Sequence, residues 1–157
     1  MSELGIKAVE LAKQSVGVIE TSPNWGKFVS VYLKFVGIFG PAPWCASFVA
    51  YKIHQAAQVL GVESKWLKGI GAASTSKIYQ WAVAGGYILD KAEPGCVFLV
   101  RDSKNPGAFL HTAFVEKADY ERLGRAMLYT VEGNESNQVE ARTRLNDISL
   151  YVYVRIV

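Results

Sequence analysis

The chain of 157 residues is half hydrophobic and one fifth charged, the composition of one globular domain with its own core, which excludes a disordered or low-complexity protein. Seventeen Lys and Arg against 14 Asp and Glu leave a net charge of +3 with no basic cluster, so the chain does not read as a nucleic-acid binder. The N-terminus lacks a basic segment followed by an apolar core, and the most apolar stretch, Phe28 to Ile53, is broken by Lys34, Pro41, Pro43 and Lys52; synthesis in the cytoplasm without a membrane anchor is expected.

In chain order, residues 4 to 16 place Leu4, Ala8, Leu11, Ala12 and Ser15 on one helical face, and Gly17 ends the pattern. Asn24 is an N-cap candidate after Pro23, with Trp25, Phe28, Val29, Tyr32 and Val36 following at helical spacing up to Gly37. Ile38 to Pro43 is a rigid connector, because each proline biases the residue before it away from helix. A third helix runs from about Trp44 to Leu60, with Gly61 as its C′ residue, and a shorter one from Ser74 to Ala84 stops at Gly85-Gly86. The period then changes. Cys96 to Val100, Leu110 to Val115, Met127 to Val131, Val139 to Arg144 and Tyr151 to Val157 are short, rich in Val and aromatics, and separated by turn residues. Helices first and strands afterwards imply an α+β fold, with N-terminal helices packed on a C-terminal antiparallel sheet of about five strands in a single domain, 1–157.

The chemistry-bearing candidate is Cys45, in the first turn of the third helix, where orphan N–H groups and the helix dipole favour a thiolate. A free cysteine is also commonly a small buried apolar residue, so Cys45 needs a base to count as a nucleophile. The chain has two histidines. His54 lies nine residues along the same helix, roughly 13 Å away along its axis, and cannot reach. His111 falls in a strand, whose edge can face a helix N-terminus. In the next strand Glu132 and Asn134 are two apart, so extended backbone points both to one face, where Glu132 can accept from the imidazole and Asn134 can help orient it. Cys96 heads an apolar strand and reads as core; one disulfide in a chain without a signal is disfavoured, so both cysteines read as thiols.

The Pro43-Trp44-Cys45-Ala46-Ser47-Phe48-Val49 segment, the later strand histidine and Glu132-Gly133-Asn134 resemble the CHAP family, the cysteine, histidine-dependent amidohydrolases and peptidases, papain-like relatives of the NlpC-type cell-wall hydrolases. The resemblance runs from about Gly17 to Arg144 and takes in Gly17-Val18-Ile19-Glu20, Asn24-Trp25-Gly26 and Arg142-Thr143-Arg144. It implies a papain-like fold, with Cys45 as nucleophile, His111 as general base, Glu132 as orienting acid and Asn134 as the polar fourth residue. The implied activity is hydrolysis of bacterial cell-wall peptidoglycan, at the N-acetylmuramoyl-L-alanine amide or within the stem or cross-bridge peptide, as in a phage endolysin acting in the periplasm or wall. The chain departs from many members in having Gly95-Cys96 where they have Gly-Asp, and it lacks the acidic calcium loop of some, so neither metal nor cofactor is expected. Trp25 and Trp44 are candidate substrate contacts, with Tyr79 and Trp81 nearby in the groove reading, although such aromatics also serve as core. Two alternatives stay open: an amidase effector, which implies an immunity partner, and a non-catalytic wall-binding or structural module that retains the fold.

Overall fold

The computed structural model describes residues 1–120 and 126–157. Four α-helices occupy the first half: α1 (Glu3–Lys13), α2 (Val29–Phe35), α3 (Cys45–Leu60) and α4 (Thr75–Gly85), with a 3₁₀ turn at Gly69–Ala73. Six strands follow, β1 (Ile88–Leu89), β2 (Val97–Arg101), β3 (Phe109–Asp119), β4 (Met127–Glu135), β5 (Gln138–Leu145) and β6 (Tyr151–Val154), in one antiparallel sheet ordered β1-β6-β2-β3-β4-β5. The molecule is α+β, as the order of periods in the sequence implies. The additional strand is the two-residue β1, too short to leave an alternating pattern.

The helix boundaries follow local chemistry. Ser2 caps α1 by accepting from the Gly5 N–H, and Ser74 caps α4 by accepting from the Lys77 N–H. α3 ends at Gly61 in the left-handed conformation, as the glycine suggests. α2 departs from expectation: it begins at Val29, not after Asn24. Asn24 has φ +56 and sits in a turn closed by the Ser22–Trp25 pair, so it cannot take the extended backbone of an N-cap.

The main core lies between the helices and one face of the sheet. Phe48, Val49, Ile53 and Ala56 of α3 pack there with Leu33 of α2, Ala8 and Ala12 of α1, and Leu99, Phe114 and Val131 of the sheet. A smaller cluster, Cys96, Phe98, Ala113, Val115, Leu128 and Tyr153, covers the other face. The first turn of α3 comes against β4 at Gly133, where an added Cβ would lie 2.8 Å from the Phe48 ring. That close approach brings the helix start carrying Cys45 to the strand carrying Glu132. None of the described helices is long and apolar enough to cross a membrane.

Candidate active site

Cys45 is the first residue of α3 and is 8% exposed. Trp44 before it supplies no side-chain cap to the N–H groups of the first helical turn. The His111 imidazole interacts with both Cys45 and Glu132, and each raises its pKa. Nε2 of His111 lies 2.9 Å from Glu132 Oε2, so Nδ1 is the ring nitrogen left for a second partner. Three groups from α3, β3 and β4 therefore form one chain of contacts, as their spacing in the sequence suggests. His54 is elsewhere, exposed on α3 and packed on Phe35 with ring centroids 4.8 Å apart.

Glu132 is fully buried and nonetheless completely bonded. Its Oε1 accepts from Arg144 Nε at 2.7 Å and from the Thr130 hydroxyl; its Oε2 accepts from Arg144 Nη2 at 2.7 Å and from His111. The parallel fork of a guanidinium on a carboxylate is a strong and directional pairing. Burial pushes the Glu132 pKa upward, but the bonds from Arg144, His111 and Thr130 outweigh it and hold the acid down at about 2. Burial likewise opposes a charge on His111, but the contacts with Cys45 and Glu132 outweigh it and raise the imidazole to about 9. Arg144 is in turn pushed above its ordinary value, chiefly by its bond to Glu132. At neutral pH the site therefore holds an anionic Glu132 between two cations. Phe98 forms the floor: its ring is 6.4 Å from His111 and 5.8 Å from the Arg144 guanidinium.

The structure departs from the sequence reading at two places, Asn134 and Trp44. Asn134 does not share the His111 face through simple alternation, because the β4–β5 register shifts between Glu132 and Glu135 and Asn134 has φ +59. Glu135 takes that place, with Oε2 3.8 Å from His111 Nε2 and 3.2 Å from Arg144 Nη2. No hydrogen bond joins the Asn134 side chain to His111 among the described residues. Trp44 is fully buried, its indole N–H donating to Glu20 Oε1 at 2.8 Å, so it offers substrate no surface. Trp25 is half-buried against the main core with Lys34 over its ring. Arg144 and Glu135 are the residues that sequence reasoning missed; an arginine on the strand after a candidate acid was the available signal.

Ligand atoms of His111, Glu132 and Glu135 lie within 4.8 Å of one another, a spacing that a cation could bridge. They do not fit a metal here, because the Arg144 guanidinium already binds both carboxylates. Cys96 and Cys45 are both free thiols. Burial drives the Cys96 thiol up to about 12, which makes it an inert core residue beside Phe98 and Tyr153. No family model, no curated protein and no solved structure matches this chain.

Proposed function

We propose that this chain is a cysteine amidohydrolase of CHAP type, with a papain-like arrangement of helix and sheet, that cleaves an amide bond in bacterial peptidoglycan. The observation that carries the reading is the run of contacts Cys45–His111–Glu132–Arg144, which places a thiol at a helix start, a base on the thiol and a fixed anion behind the base. The peptidoglycan substrate rests on the sequence resemblance. Action in the periplasm or wall belongs to the same proposal.

In the reaction, the proton that makes His111 a cation is the one given up by Cys45, and the sulfur attacks the amide carbonyl carbon, moving the C=O electron pair onto oxygen. The uncapped N–H groups at the start of α3, that of Cys45 foremost, stabilise this oxyanion. Collapse expels the amine, which takes its proton from His111 Nδ1, and leaves a thioester on Cys45. Water, deprotonated by His111, then attacks the thioester; the acid product leaves and the thiol is restored. Glu132 keeps its charge throughout, orienting the ring and stabilising the imidazolium.

The test is to incubate purified walls with the wild type and with Cys45→Ala and to identify released fragments by mass spectrometry. Release by the wild type alone is expected. New N-terminal alanine identifies the sugar–peptide amide, and other new amines identify a peptide cut. Equal release by both proteins refutes the mechanism.

A further inference from the structure

The helix α2 is apolar on almost every side, yet only half of it is covered. Val29, Tyr32, Leu33 and Val36 turn inward and are buried in the main core. On the outer arc Phe28, Val31 and Phe35 recur at helical spacing and stay 52%, 41% and 37% exposed. Lys34 on the helix and Lys27 just before it, both exposed, border that stripe. The Lys27 ammonium lies 5.6 Å from the centre of the Phe28 ring, and that of Lys34 lies 6.0 Å from the Trp25 ring. Neither ammonium has a carboxylate partner among the described residues, and no Asp or Glu occurs in the sequence between Glu20 and Glu63. The apolar surface continues on both flanks: Val16, Val18 and Ile19 line a cleft with Lys27 and Phe28, and Leu67 and Lys68 line a smaller one with Phe35.

We propose that this face docks on an anionic lipid bilayer, with Phe28, Val31 and Phe35 seated at the headgroup boundary and Lys27 and Lys34 against the lipid phosphates. The proposal stands apart from the hydrolase reading. An apolar stripe edged by lysines is the pattern of a helix lying in the plane of an interface, where burial of the stripe adds to the attraction between ammonium and phosphate. With seven residues α2 is about 10 Å long, too short to span a bilayer and long enough to lie on one. Charge decides against a second copy of this chain, because a two-fold contact through this face sets uncompensated lysines against one another. A soluble polyanion would meet the lysines but leave Phe28, Val31 and Phe35 in water. A folded protein partner would need hydrogen bonds across the contact, and those three side chains offer none. The hydrocarbon boundary asks for none, since the backbone of a helix is bonded within the helix.

The experiment sediments the full-length protein with vesicles of equal parts phosphatidylglycerol and phosphatidylcholine and, separately, of phosphatidylcholine alone. Binding to the anionic vesicles is expected, and about thirtyfold weaker binding to the neutral ones, because each lysine near a charged surface contributes about a fivefold gain. Lys27→Gln with Lys34→Gln is expected to cost that same factor on anionic vesicles. Phe28→Ser with Val31→Ser is expected to weaken binding to them about tenfold. The two lysines lie wholly at the surface, so their variant decides the matter should circular dichroism show that the apolar pair disturbs α2. No binding to either vesicle, equal binding to both, or unchanged binding by the lysine variant overturns the proposal. So does a single-stranded oligonucleotide that binds as tightly as the anionic vesicles and is released by the lysine substitutions alone, and so does a dimer in vesicle-free solution that Phe28→Ser with Val31→Ser dissociates.

Discussion

Glu132 sets the electrostatics of the site. A buried carboxylate is tolerated only when its lone pairs are occupied, and here Arg144, His111 and Thr130 occupy both oxygens. Glu132→Gln keeps the shape but loses the anion behind the imidazole, and kcat is expected to fall about 10²- to 10⁴-fold in the wall-release assay, less than on loss of Cys45. Arg144→Met leaves a buried charge without its fork and is expected to lower stability by about 3 kcal/mol in urea unfolding, whereas Arg144→Met with Glu132→Leu recovers much of that loss. The pH dependence follows from His111. Its folded pKa of about 9 lies above the ordinary 6.5, so its contribution to stability is complete below 6.5 and is lost as pH rises through 9. Thermal midpoints should fall across that window, and His111→Gln should remove this part of the fall. Because contact with Cys45 helps to raise the imidazole, Cys45→Ala should move the His111 titration, followed by NMR, downward.

At the level of elements, the site exists because α3 and β4 touch without a side chain between them. Gly133→Ala would place a Cβ 2.8 Å from Phe48, in a contact where Phe48 is fully buried and also packed on Phe114. Either α3 or β4 must move, at an expected 1–3 kcal/mol in denaturant unfolding, and Cys45 should separate from His111 with a fall in its alkylation rate. α3 was legible in the sequence because its ends are marked chemically, by Pro41 and Pro43 before it and Gly61 after it. The candidate pair was legible because only one histidine could reach Cys45. The share of Asn134 and Glu135 was not, since strict alternation assigns Asn134 to the His111 face and the irregularity between Glu132 and Glu135 reverses the assignment. Arg144 was hidden for a related reason: it pairs across the ladder with Leu128, and only its long side chain brings it back to Glu132. The burial of Trp44 depends on Glu20, 24 residues earlier, which no local pattern reveals.

Across the whole molecule, the order of helices and strands sufficed to identify the α+β class, because the change of period after Gly86 is abrupt. Two hydrophobic clusters, one on each face of the sheet, then hold the strands that carry His111, Glu132 and Arg144. The order of elements also divides the chemistry. Cys45 belongs to the helical half of the chain, the other three groups to the strand half, and the boundary is the exposed turn at Gly85 and Gly86. The main core draws on both halves, so a chain nicked at that turn is expected to stay docked in mild conditions and to keep a reactive Cys45. Urea should then release the halves and abolish the reactivity together. The thiol is thus a built-in gauge of complementation: its alkylation rate reports whether two separately made fragments have found each other.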